Sequence, residues 1–354
     1  MLAQRRHVVQ VVSIGLGGRT TQETDTWGRR VIRLGAGRKR IVSPSRWELF
    51  RSYLALRFAS EAWLRAFSPD LLIAYFAFPA GHAAMSLSRR LRLPMAVSLR
   101  GSDVPGFSDA RWGWLRFLHS ILVRPVLRQC DLLLANGLYL SRLAQAMMPD
   151  VEVINLPNGV DPEAYHPGLP RRDSEPLRVL FVGQLITRKN CFQVLEGMEW
   201  LATHGGTATL TVVGEGPLRA ALEVRTARLA GRLKVALAGH VARESMPEVY
   251  RLHDVVVLLS EAEGISNVLL EALASGLCVV GTPASVGEVV SDQVQGILLG
   301  SVTPESVGRA LLSLATSSER RVMFQKAARR LAESRDWAAT ASLFEEQVRK
   351  LLGQ

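Results

Sequence analysis

Short, continuously apolar runs alternate with amphipathic stretches along the whole chain. In the first half the runs are Val8–Ile14, Val31–Leu34, Leu71–Tyr75, Met95–Leu99, Leu132–Ala135 and Val151–Ile154. In the second half they are Arg178–Val182, Thr209–Val213, Leu233–Leu237, Val255–Leu259, Cys278–Gly281 and Ile297–Leu299. Runs without polar alternation predict strands buried on both faces, hence a parallel sheet covered by helices. The strand–helix order repeats on either side of a Pro-, Gly- and Asp-rich break at about 156–177, which predicts an interdomain linker. Helical spacing returns at Glu319–Ser334 and Ala338–Leu352. The pattern predicts two doubly wound α/β domains, residues 1–168 and 169–334. A C-terminal helix over 335–354 is expected to pack back toward the first domain. Two such domains facing each other would hold ligand in a cleft at the carboxyl ends of their strands.

Composition narrows the class. The chain has 354 residues, 48% hydrophobic and 21% charged, which excludes a disordered or fibrous protein. Its densest apolar run, Leu71–Phe78, is far too short to span a bilayer. The first 20 residues hold no secretory core, so export is not expected. Cys130, Cys191 and Cys278 are widely spaced, with neither a disulfide framework nor a zinc pattern, which fits a reducing cytoplasm. The net charge of +11 is one-sided: residues 1–170 carry 22 Lys and Arg against 12 Asp and Glu, and the remainder 21 against 20. A basic first half calls for an anionic partner, either an acidic membrane face touched peripherally or a phosphorylated substrate. A solvated surface in an Arg-biased chain is the alternative, since only five of the 43 basic residues are Lys. No DNA- or RNA-binding motif accompanies the charge, so nucleic acid is not expected.

The candidate chemistry lies in the second half. Ser260–Thr282 follows an apolar strand with a tight Glu263–Gly264 turn and then a helix from about Asn267. Free amides at a helix start hold diphosphate well, which points to Gly264, Ile265, Ser266, Asn267 and Val268. Glu271, one turn into the helix, suits the two hydroxyls of a ribose; Glu263, in the loop, suits a sugar beyond the phosphates. A strand–loop–helix unit with a charged face is the plain structural alternative. Against it stand three further strand ends tipped with glycine: Phe181–Asn190 with Arg188 and Lys189, Thr211–Pro217, and Ala238–Val241. Glycine there lets backbone approach phosphates or a flat base, and the two cations would offset charge on a departing diphosphate.

In order, VGQL…RK, VVGEGP, AGHV and LLSEAEGISNVLLEALASG resemble the nucleotide-sugar domain of the family-four retaining glycosyltransferases. PNGVDPEAYHP (157–167) resembles that family's interdomain signature. Residues 68–104 are most similar to the branch containing teichuronic-acid and exopolysaccharide transferases, and the likeness covers about 60–354. The resemblance implies a GT-B fold, with an acceptor-side domain first and the nucleotide-sugar domain second. It implies hexosyl transfer with retention from a UDP- or GDP-type nucleoside-diphosphate sugar to a glycan or lipid-linked acceptor. Metal and other cofactors are not expected. Glu263 would contact the donor sugar, Glu271 the ribose, and Lys189 the phosphates. The family usually carries Arg or Gln at the position of Gln184, so phosphate charge would fall to Arg188 and Lys189. The backbone of 264–268 would reach donor sugar and phosphates, and the peptide at Val241 the base. Arg100 stands where many members have a donor-touching His, and the RGSD form (100–103) is that of the teichuronic-like branch.

Two departures from the family pattern stand out. Pro283–Glu288 reads PASVGE where members have paired glycines, so Ala284 and Ser285 would narrow the sugar pocket. Family members also begin with a strand, a Gly-rich loop and a long helix ahead of a segment like Arg5–Gly15. The resemblance therefore implies that the first strand and helix are missing; the alternative is a first 50 residues that rebuild the sheet differently. An active transferase at the inner membrane face is the expected function. A catalytically weak remnant binding nucleotide-sugar or a partner is the alternative. The E-x7-E spacing and the linker fit a transferase better than a GT-B epimerase or phosphorylase.

Overall fold

The computed structural model describes residues 2–39, 45–101, 104, 107, 116–169, 175–229 and 231–353. Residues 102 and 103 of the RGSD motif, and 170–174 of the predicted linker, lie outside the described residues. The chain packs as two compact units, Met1–Pro157 with Ala341–Gln354, and Asn158–Thr340.

The first unit holds two sheets. β1 (Gln10–Leu16), β2 (Thr21–Thr24) and β3 (Arg30–Arg38) form one, in the order β1-β3-β2. β1 runs parallel to β3 and β2 antiparallel to it, which departs from the all-parallel expectation. The reason is local. Thr21–Thr24 is polar and exposed throughout, so it carries no apolar run to read. The predicted strand at Val8–Ile14 also starts two residues later, leaving Val8 83% exposed. β4 (Leu72–Tyr75), β5 (Met95–Leu99), β6 (Leu132–Ala135) and β7 (Val153–Asn155) form the second sheet in sequence order, all parallel. β5 and β6 are buried along their full length, as uninterrupted apolar runs require. The last helix, Trp337–Leu352, places Phe344, Val348 and Leu351 against Ala96, Leu132 and Leu134 of β5 and β6.

The second unit is one six-stranded parallel sheet: β8 (Leu177–Val182), β9 (Ala208–Val213), β10 (Lys234–Gly239), β11 (Val255–Leu258), β12 (Cys278–Gly281) and β13 (Gly296–Leu298). Its order is β10-β9-β8-β11-β12-β13, so the winding direction reverses between β8 and β11. Adjacent residues feed opposite faces. Val255 and Val257 join the core with Met198, Val307 and Phe324, while Val256 and Leu258 join the one with Leu269, Leu273 and Ala328. A doubly wound sheet opens a crevice at such a reversal, outside the carboxyl ends of its strands.

Residues 158–168, grouped by sequence with the first half, pack in the second unit. The Arg329 guanidinium donates to the carbonyls of Pro162, Tyr165 and Ala274 at 2.8–2.9 Å. Val160 bridges to Asp336, and the Asn158 amide reaches the Ile265 carbonyl at 3.0 Å. This Pro-rich segment is thus held by the Arg329 side chain, a single backbone bridge and its own Asn158, all reaching elements that come much later in sequence.

Candidate functional site

The two strands flanking the reversal carry the predicted chemistry. After β8 the chain passes Gly183 and the exposed Gln184 into a 3-10 turn, Thr187–Lys189, and then the helix Cys191–Thr203. After β11 it passes Ser260–Ser266 into the helix Asn267–Ala274. The loops are bolted together. The Asn190 amide donates to the Leu259 carbonyl at 2.8 Å, and the Glu261 N–H donates to the Arg188 carbonyl at 3.2 Å. Arg188 donates to the Ala262 carbonyl at 2.6 Å and to Glu263 Oε1 at 3.2 Å. Lys189 Nζ pairs with the same carboxylate oxygen. One anion between two cations leaves a net positive cluster beside a helix start, whose free amides add partial positive charge.

The glycine-tipped strand ends form one ledge. The Gly183 N–H donates to the Val213 carbonyl at 3.0 Å, and the Gly214 N–H donates to the Gly239 carbonyl at 2.8 Å. Gly214 has φ +140°, and a Cβ there would lie 1.9 Å from the Gly183 oxygen, so no other residue fits. Val241, just past Gly239, is half-buried against the core.

Glu271 lies on the inner side of its helix. Burial raises its pKa above the usual carboxylate value, opposed by hydrogen bonds from Tyr250 and Tyr165 and by the Arg243 charge. Tyr250 Oη donates to Glu271 Oε2 at 3.0 Å. Tyr165 meets Tyr250 edge-to-face at 5.8 Å. Burial pushes the Tyr250 phenol well above its ordinary value and the Tyr165 phenol up to about 12, with Glu271 adding to both. Both therefore remain protonated donors at neutral pH, aimed at a carboxylate that still has acceptor capacity.

Other predicted residues divide. Ile265 is buried at 4% exposure and Val268 packs on the core, so only their backbone is on offer to a ligand. Ser285 does not narrow a pocket. Its hydroxyl turns inward to the Leu258 carbonyl at 2.6 Å and closes a capping box with Thr282 at the start of the short helix Pro283–Val286. Ala284 is exposed, and its carbonyl accepts from the Glu263 N–H at 3.2 Å. Arg100 belongs to the first unit, at the end of β5, with its guanidinium 4.8 Å over the Tyr75 ring.

Two family models match the chain: "Glycosyltransferase Family 4" over residues 1–164 and "Glycosyl transferases group 1" over 176–317. A GDP-mannose-dependent alpha-mannosyltransferase of Mycobacterium tuberculosis is 30% identical over 298 residues, 77% of this chain and 71% of that one. The chain belongs to the GT-B glycosyltransferases of the family-4 and group-1 type. This glycosyltransferase is also 26% identical over 250 residues to the putative teichuronic acid biosynthesis glycosyltransferase TuaC of Bacillus subtilis, 69% of this chain and 60% of that one. Its fold matches that of sucrose-phosphate synthase from Thermosynechococcus elongatus with a TM-score of 0.83 at 18% identity, covering 99% and 91% of the two chains.

Sequence reasoning about the glycosyltransferase missed Tyr250, Tyr165, Arg243, Asn158 and Asn190. Tyr250 left one signal, a phenol in an otherwise apolar position that needs a partner when buried. Tyr165 and Asn158 lay inside the linker signature, with nothing local to show that Tyr165 turns toward Glu271 and Asn158 toward the Ile265 carbonyl.

Proposed function

We propose that this glycosyltransferase moves a hexosyl group from a nucleoside-diphosphate sugar to a hydroxyl of a glycan or lipid-linked acceptor, with retention, in building cell-surface polysaccharide. The observation that carries this reading is the convergence of Arg188 and Lys189 on Glu263 at the winding reversal, one loop before Glu271. Glu271 accepts the ribose hydroxyls. Arg188, Lys189 and the amides that open the helix at Asn267 hold the diphosphate. Glu263, already between the two cations, orients the sugar. In the reaction the bond from the anomeric carbon to the phosphate oxygen breaks and a bond to the acceptor oxygen forms on the same face. The acceptor proton passes to the leaving phosphate. Negative charge grows on that phosphate in the transition state, and preorganised cations lower the barrier most where charge develops. The GDP-mannose-dependent relative supports a nucleoside-diphosphate donor, and the putative teichuronic acid biosynthesis glycosyltransferase supports a role in polysaccharide synthesis.

Calorimetry and thermal melting of the full chain with UDP, GDP, ADP and their sugar conjugates test the reading. One diphosphate should bind and raise the melting temperature by mass action. Glu271→Ala should abolish the shift, and Lys189→Ala should reduce it. A folded protein that binds none of them would overturn the donor assignment.

A further inference from the structure

At the amino-terminal end of β5 the first unit holds a cavity of about 320 Å³, lined by Met85, Ser88, Arg89, Met95 and Gln129. That volume lies at the lower end of small-molecule sites. Met85, Ser88 and Arg89 come from the helix His82–Leu91, Gln129 closes the helix Arg116–Gln129, and Met95 opens β5. Met85 is 9% and Met95 1% exposed, so two polarizable thioethers make an apolar floor that adapts its shape. The Ser88 hydroxyl is engaged with the Leu93 carbonyl at 2.6 Å. Arg89 and Gln129 stand exposed at the rim. Arg100 follows the other end of β5. The cavity is thus at the pole of this sheet opposite the carboxyl strand ends, where doubly wound sheets hold their substrates.

The rim selects the ligand. Among the described residues neither the Arg89 nor the Gln129 side chain has a hydrogen-bond or ion-pair partner, whereas the neighbouring Arg90 holds Glu61 at 2.8 Å. A planar guanidinium beside an amide offers converging N–H donors, the arrangement that a carboxylate accepts. One cation balances one negative charge. Asp131, two residues past Gln129, is fixed beside Met95: its Oδ2 accepts from the Met95 N–H at 2.8 Å, and its own N–H donates to the Met95 carbonyl at 2.9 Å. That carboxylate disfavours a doubly charged phosphate at the same rim. Behind the head group, the methionine floor fits an alkyl stem. We propose that this cavity binds a small monocarboxylic acid with an apolar stem, the head on Arg89 and Gln129 and the stem on Met85 and Met95. Glu263, Glu271, Arg188 and Lys189 all belong to the second unit, so this site stands or falls independently of the donor assignment.

Nuclear magnetic resonance of the full chain, isotope-labelled at its methionine methyl groups, tests the proposal with octanoate as the probe and 1-octanol as its uncharged counterpart. Octanoate should shift two of the eight methionine signals, and the shifts should saturate. Met85→Leu and Met95→Leu identify those two signals, being volume-conserving swaps that keep the core filled. Octanol should bind about tenfold more weakly or worse, since it has no charge to pair with Arg89. Arg89→Gln should raise the octanoate Kd about tenfold, toward that of octanol, and should melt at the wild-type temperature without ligand. Unmoved Met85 and Met95 signals, or shifts spread over the other methionines, would overturn the proposal. So would equal affinity for octanol, or an Arg89→Gln variant that binds octanoate as the wild type does.

Discussion

Tyr250, without solvent exposure, donates its hydroxyl to Glu271 Oε2 at 3.0 Å and so fixes the carboxylate that the proposed donor site depends on. Tyr250→Phe removes that donor and keeps the ring. A hydrogen bond to a charged group contributes about 1.5–3 kcal/mol, so nucleotide affinity should fall about tenfold or more while kcat changes less. The Tyr250 bond holds the Glu271 pKa down against burial. Affinity should therefore fall as pH drops through the Glu271 pKa, and the midpoint of that fall should move to higher pH in the variant. Titration calorimetry across the acid range checks this; an unmoved midpoint rules out the positioning role.

Glu271 itself works against the stability of the fold. Its folded pKa is raised by burial. A group raised in the folded state adds stability below its unfolded pKa, and that contribution is lost as pH rises through the folded value. At neutral pH the ionised carboxylate is thus a burden. Glu271→Gln should raise the melting temperature at pH 7, lose the advantage in acid below the carboxylate range, and bind nucleotide poorly. A variant that melts lower than wild type at pH 7 contradicts this account.

Glu263 shares its Oε1 between Arg188 and Lys189. Glu263→Gln frees both cations, so affinity for a nucleoside diphosphate should hold or rise, with a steeper salt dependence. Turnover should drop, because the sugar loses its carboxylate. Lys189→Ala should do the reverse to affinity, lowering it roughly tenfold by loss of a charge-assisted contact. Parallel measurement of Kd and kcat separates the two roles; a raised Kd together with a lowered kcat in Glu263→Gln would remove the sugar-orienting assignment.

Asp254, 1% exposed, accepts two bonds from the Arg178 guanidinium, at 3.0 and 2.7 Å, and one from the Arg178 N–H at 2.9 Å. These bonds are the main reason the Arg178 pKa is raised. Breaking a buried pair by removing one partner costs about 3–5 kcal/mol. Asp254→Ala should lie near the lower bound, because Arg178 keeps some contact with water. A lower denaturation midpoint at unchanged m-value is the expected readout.

The sequence determined the elements. Continuous apolar runs gave β5, β6 and β12 their bounds because strands buried on both faces need no polar position. The E-x7-E spacing and the basic loop marked Glu263, Glu271, Arg188 and Lys189 because such chemistry sits in short segments at strand ends. The polar strand Thr21–Thr24 left no trace, since an exposed edge strand is stabilised by its ladder alone. Only the tertiary structure decided what the marked residues touch. It turned Ser285 inward, set Glu263 between two cations, and brought Tyr250 to Glu271 across 21 residues of chain. It also left Trp47, Phe50 and Phe58 exposed and buried Ser52 and Ser60. Periodicity says that a face is apolar; which way that face points is settled by the packing of elements distant in sequence.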